Sequence, residues 1–164
     1  MLLRRLLAVS VDWLFIVAWG VALFGIVIGV NASGHLTPQS PLQAQLLGFT
    51  TMTLPVVVTM SVLESSKMQA TPGKRLLRLR VCRTDGERVS LLRAIGRNAL
   101  KFLPWELGHG LAWTLAMGGD ADPPMWLLAL GILATLGPAW WVIALWRRGH
   151  TPYDRASGTV VQRR

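Results

Sequence analysis

VDWLFIVAWGVALFGIVIGV, running from Val11 to Val30, decides the fold class. Twelve of its twenty residues are Val, Ile, Leu or Phe, and its only charge is Asp12, near one end. An α-helix needs about 20 mostly apolar residues to cross the hydrocarbon core of a bilayer. On the insertion scale those apolar residues contribute roughly −4 to −7 kcal/mol, against about +3 for a central Asp and less for a terminal one. The stretch reads as a membrane span.

Three more candidates follow outward from it. Leu42 to Leu63 is the second, with Pro55 inside removing one backbone hydrogen bond and predicting a kink. Met125 to Trp146 is the fourth; it is uncharged and carries Gly131, Gly137 and Pro138. Phe102 to Met117 is the third, shorter and interrupted by Pro104, Glu106 and His109. The expected fold is an all-α membrane domain over residues 1–164, with spans at 11–30, 42–63, 102–117 and 125–146. A loop at 64–101 and a tail at 147–164 complete it.

Charge supplies the topology. Lys and Arg accumulate in cytoplasmic loops near span ends. Arg4 and Arg5 precede the first span, ten more lie between Lys67 and Lys101, and five follow the fourth span from Arg147 to Arg164; together these are all 17 Lys and Arg. The intervening loops, 31–41 and 118–124, have none, and Asp120 and Asp122 lie there. Both termini are therefore expected in the cytoplasm. Without the third span, the basic middle loop and the basic tail would face opposite sides. Six of the eight Trp residues lie near predicted span ends, where amphipathic rings favour the interface; Trp19 and Trp113 read as packing residues.

Composition agrees. Charged residues are 15% and hydrophobic ones 52%, with mean hydropathy +0.43, where a soluble domain carries about 25% charged residues. The net charge of +9 is absorbed by the positive-inside pattern, so nucleic acid is not an expected partner. The single Cys82 excludes an intramolecular disulfide and a multi-cysteine metal site. Val30-Asn31-Ala32 loosely resembles a signal-peptide cleavage site, but the apolar run exceeds the usual 7–15 residues or so. Asn31-Ala32-Ser33 matches a glycosylation sequon by chance more readily than by use.

On the cytoplasmic face, Leu77 to Arg83 alternates apolar and mostly basic residues, the period of a half-buried strand. Asp85-Gly86 is a hairpin turn signal, Arg88 to Ser90 a return strand, and Gly158 to Gln162 a third strand. Arg93, Arg97 and Lys101 recur every four residues, as one stripe of an interfacial helix leading into the third span. Such a stripe either binds anionic lipid headgroups or serves only to set topology.

Three segments resemble the RDD family of bacterial membrane proteins, named for an arginine and two aspartates. They are Arg4 to Asp12, with Arg and Asp seven residues apart; Thr71-Pro72-Gly73-Lys74-Arg75 with the alternating run to Val81; and His150 to Val161, with Asp a few residues before Gly-Thr. The resemblance spans nearly the whole chain. It places the named trio on Arg5, Asp12 and Asp154, with Arg4 the neighbouring alternative to Arg5. Tyr153 stands where a His is often seen, which puts a His-dependent role in doubt. The resemblance implies a multi-pass protein of the bacterial plasma (inner) membrane, and transport is the function usually suggested for the family.

Asp12 is the leading candidate for chemistry, because an ionisable residue inside a span is costly and faces a partner or a water-filled cavity. Arg5 lies on roughly the same helix face but about 10 Å away along the axis, so a direct pair is strained and Arg93, Arg97 or a tail arginine could reach it instead. Glu106 and His109 form Glu-x-x-His, one turn apart, which suits a proton relay or a structural hydrogen-bonded pair. Half of a di-metal carboxylate site has this form, but more carboxylates are missing and no metal or cofactor is expected. Asp154 caps a local turn or pairs with the basic face. No nucleophile–base constellation points to an enzyme. Two functions remain open: ion-coupled transport of a proton, a monovalent cation or a small solute, requiring an oligomer because four helices make a thin path; or a non-catalytic anchor or regulator of a membrane partner. The bilayer, including its anionic lipids, is the expected surrounding.

Overall fold

The computed structural model describes residues 1–31, 37–118, 122 and 124–164. The cleavage motif at 30–32, the sequon at 31–33 and Asp120 extend into or fall on residues outside that description. Seven helices and two strands follow in order: α1 (Leu2–Asn31), α2 (Pro41–Gly48), a π-helical turn (Phe49–Thr53), α3 (Leu54–Ser65), α4 (Pro72–Leu76), β1 (Leu79–Arg83), α5 (Leu91–Met117), α6 (Met125–Arg148), α7 (Pro152–Ala156) and β2 (Thr159–Arg163).

Among the described residues, three helical stretches are long and apolar enough to cross a membrane: Leu2–Val30, Pro41–Ser65 and Met125–Arg148. α5 is long but too polar to qualify by composition. It nevertheless packs along α6, α3 and α2. Asn98 meets Ser61, Glu106 meets Thr53, and Gly110 lies beside Gln45, so α5 runs antiparallel to the α2–α3 stretch. Pro104 lies against Gly137 and Leu111 fills the space at Gly131, so α5 is antiparallel to α6 as well. The expected interfacial helix and third span are one continuous helix.

The kink expected at Pro55 is a π turn. Proline has no N–H to give the carbonyl four residues back, which is that of Thr51. The Trp19 indole N–H donates to that oxygen at 3.2 Å, so α1 satisfies the group that Pro55 frees. Ile16, Val57, Met60 and Phe102 form the apolar core among α1, α3 and α5.

At the other end, β1 and β2 pair antiparallel, with Val81 opposite Val161. Leu79, Val81 and Val161 pack on Ala8, Val89 and Ala94, which ties the sheet to the start of α1 and α5. The expected turn forms at Asp85-Gly86, with the Arg83 N–H donating to the Glu87 carbonyl at 2.8 Å, but the return strand is corrected: Arg88 makes one bridge, to Cys82, and goes no further as a strand. Ser90 instead leaves to cap α5, accepting from the Arg93 N–H. The strand begins two residues later than read, because Arg78 adopts φ 55° in the turn out of α4.

Candidate functional site

Where α1, α3, α4, α5 and α7 converge, six charged side chains share one buried cluster: Arg5, Asp12, Glu64, Lys74, Arg97 and Asp154, none more than 6% exposed. Three are cationic and three anionic, so the cluster is neutral. Burying a charge is tolerable only when it is paired and its remaining hydrogen-bonding capacity is met, and each member meets that condition through particular neighbours.

Asp154 sits at the start of α7 in a capping box with Thr151, accepting from the Thr151 N–H while the Asp154 N–H donates to Thr151 Oγ1. Its oxygens also receive Arg5 Nη2 and, from Arg97, Nε at 3.1 Å and Nη2 at 2.7 Å. Burial alone would push the Asp154 carboxyl up; Arg97 and Arg5 outweigh it and hold the group well below the usual carboxylate range. Arg5 Nη1 donates to the Gly149 carbonyl at 3.0 Å. Gly149 closes α6 at φ 73°, the left-handed conformation that favours glycine.

Arg97 turns its third nitrogen, Nη1, to both oxygens of Glu64 at 3.0 and 2.9 Å. Glu64 also receives Lys74 Nζ at 2.9 Å and Asn98 Nδ2 at 3.0 Å. Asp12 accepts from Thr71 Oγ1 at 2.7 Å and from the Gly73 N–H at 2.8 Å, with Lys74 Nζ 3.8 Å away. A Cβ on Gly73 would run into the Ala8 carbonyl oxygen, so only glycine lets α4 come this close to α1. The Thr-Pro-Gly-Lys run thus works residue by residue: hydroxyl to Asp12, a proline start for α4, close approach, and ammonium to Glu64.

The site residues read from the sequence divide accordingly. Arg5, Asp12 and Asp154 all enter the cluster, but Arg5 pairs with Asp154 rather than Asp12, and among the described residues no arginine pairs with Asp12. The basic stripe does not share one face. Arg93 is exposed, Lys101 is partly buried, and Arg97, at 1% exposure, is turned to carboxylates instead of lipid headgroups. Positions four apart drift by about 40° on a helix, so the stripe rotates by about 80° over these residues. Glu64, Lys74 and Asn98 were not singled out in the sequence. The signal for Glu64 is that it continues the buried stripe Val57, Met60, Ser61 of α3. Tyr153 lies under the Arg97 guanidinium at 5.2 Å and edge-on to Trp141 at 5.1 Å, so an aromatic contact occupies the place of the usual His.

Glu106 and His109 do not pair. Glu106, nine residues beyond Arg97 and about 13 Å along α5, faces the π turn. It accepts from Thr53 Oγ1 and, at 2.6 Å, from Gln45 Nε2. Gln45 Oε1 is buried beside them and has no hydrogen-bond partner among the described residues. His109 turns elsewhere: Nδ1 lies 2.9 Å from its own helix's Trp105 carbonyl, and the ring lies against Trp105, tilted by 49° with centroids 4.4 Å apart. Asp12 belongs to the ion cluster, so Asp12, Glu106 and His109 do not converge. Among the described residues, no three His, Cys, Asp or Glu side chains form a metal-ligand set.

Comparison with curated proteins and with solved structures found no match. The family model does match, over residues 1–158. Its reach from α1 through α7 takes in all six charged members of the cluster. The three apolar helices fit a membrane protein, and the chain belongs to the RDD family.

Proposed function

We propose that this chain is a non-enzymatic, ion-coupled transport unit of the bacterial plasma membrane, carrying a proton or a monovalent cation. In this reading α5 is the fourth span, the sheet and both termini face the cytoplasm, and chains associate to complete a path. The segregation of all 17 Lys and Arg to one side supports the orientation. The packing of α5 along both the α2–α3 stretch and α6 supports the span count.

The observation that carries the proposal is Glu106. Its carboxylate faces the α2–α3 stretch, and among the described residues its side-chain donors are the neutral Thr53 and Gln45. Among the described residues it has no ion pair. Intramembrane carboxylates mark ion and proton pathways, and one without a fixed cation can exchange a proton or a small cation. Thr53 and the free Gln45 carbonyl add oxygen atoms suited to a hard monovalent ion. The neighbouring π turn is the kind of irregularity found at functional positions. Asp12, bound by Thr71 and Gly73, is a fixed strut of the cytoplasmic floor.

The test is flux in proteoliposomes under imposed proton, sodium or potassium gradients. Wild-type chain is expected to exceed empty liposomes, and Glu106→Gln to lose the flux while keeping its thermal midpoint. Absence of flux under every gradient would sink the transport reading and leave the anchoring or regulatory one.

A further inference from the structure

A cavity of 570 Å³ lies among α1, α5 and α6, outside both the ion cluster's hydrogen bonds and the Glu106 site. Its volume falls within the roughly 300–1,000 Å³ typical of small-ligand sites. Its two ends differ in chemistry. One end is bounded by Arg5, Lys74, Arg97 and Lys101, and among the described residues no carboxylate lines the cavity. The body is apolar, with Trp13, Phe102, Trp105, Leu111 and Leu145 among its walls.

Three of those cations are committed to the neutral cluster. Lys101 is not: its Nζ lies 3.8 Å from Met60 Sδ and 5.2 Å from the Phe102 ring centre, and among the described residues it has no ion-pair partner. Burial and the neighbouring Lys74 disfavour the Lys101 ammonium, and an anion placed beside it would stabilise the charged form. The cavity also opens sideways. Leu6 and Val142, both among its lining residues, are 36% and 46% exposed. α1 and α6 flank it without packing side by side, so the opening lies on the apolar flank of the bundle.

We propose that this cavity holds one anionic phospholipid, with its phosphate against Lys101 and an acyl chain along the aromatic body toward Leu111. A free inorganic anion would match the basic end and leave the apolar body empty. A zwitterionic lipid would fill the body and leave Lys101 unbalanced. The proposal rests on the cavity and on Lys101, and stands whether or not the chain transports ions.

The experiment uses the full chain in nanodiscs of equal phosphatidylglycerol and phosphatidylcholine, extracted gently and read by native mass spectrometry. One retained phosphatidylglycerol per chain is expected. Lys101→Gln should lower its retention about fivefold, the effect of one basic residue near an anionic lipid, and leave phosphatidylcholine retention unchanged. Lys101→Arg keeps the charge and should keep the preference, which separates loss of recognition from loss of fold. Ala112→Trp, which narrows the apolar body about 16 Å along α5 from Lys101, should reduce retention of both lipids. Equal retention of the two lipids by wild type would overturn the proposal. So would unchanged retention in Lys101→Gln or Ala112→Trp, or displacement of the lipid by excess inorganic phosphate alone.

Discussion

Arg97 donates to Asp154 Oδ1 through two nitrogens, Nε at 3.1 Å and Nη2 at 2.7 Å, while its remaining nitrogen spans to Glu64. A planar guanidinium can hold two carboxylates from different elements at once, which a lysine ammonium cannot do in the same geometry. α3, α5 and α7 are joined through this one side chain. Arg97→Met should therefore destabilise the fold by about 3–5 kcal/mol, the range for removing one partner of a buried pair. Arg97→Lys should fall between Met and wild type. Thermal unfolding in detergent checks the order; a Met variant as stable as wild type would remove the cluster from the stability account.

Asp154 makes stability depend on acid. Its folded-state pKa lies below the unfolded value of about 3.9. A depressed carboxylate contributes stability that is fully present above the unfolded pKa and is lost as pH falls through the folded one. The wild-type unfolding midpoint should therefore be insensitive to Asp154 between about pH 7 and 5 and should fall below about pH 4. Asp154→Asn should be less stable at pH 7 and show a shallower acid slope. Parallel slopes for the two proteins would contradict the assignment.

Gly73 brings the α4 backbone directly against α1. Gly73→Ala places a methyl against the Ala8 carbonyl oxygen, which is backbone and has little freedom to move. The expected loss is about 1–3 kcal/mol from overpacking, together with a weaker Gly73 N–H bond to Asp12. Limited proteolysis should then cut more readily in the segment between α3 and β1. Proteolysis indistinguishable from wild type would show that the contact is slack.

Trp19 and Pro55 form a compensating pair. Trp19→Phe should cost about 0.5–1.5 kcal/mol by leaving the Thr51 carbonyl unsatisfied. In a Pro55→Ala background, residue 55 regains an N–H that can reach that carbonyl, and the Trp19→Phe cost should shrink. A double-mutant cycle measures the coupling; a zero coupling would mean that the indole bond is incidental.

The parts of this fold that depend on local pattern were legible in the sequence. Val11 to Val30 declares a span by its apolar run, and Leu77 to Arg83 declares a strand by its alternation. The turn at Asp85-Gly86 forms as its residues indicate, but the return ends after one bridge from Arg88, because Ser90 already serves as the N-cap of α5. The cluster was legible only in part. Motif resemblance pointed to Arg5, Asp12 and Asp154, but their partners lie on other elements, up to 149 residues apart. Glu64 passed unremarked because it ends an apolar stretch, where a carboxylate reads as an ordinary polar terminus. Glu106 and His109 have the spacing of a pair, yet packing against the π turn draws one away while the other stays against its own helix.

The ion cluster also imposes an order on the birth of this protein. A ribosome delivers Arg5 first, then Glu64, then Arg97, and Asp154 after all of them. Until α7 emerges, Arg5 and Arg97 await the carboxylate that joins them, and β1 awaits β2. The early helices must therefore enter the membrane with their charged ends still held by water or lipid headgroups, and α7 and β2 act as the latch that closes last. A nascent chain stopped short of residue 154 would present unlatched arginines, a state that cellular quality control could distinguish from the finished molecule.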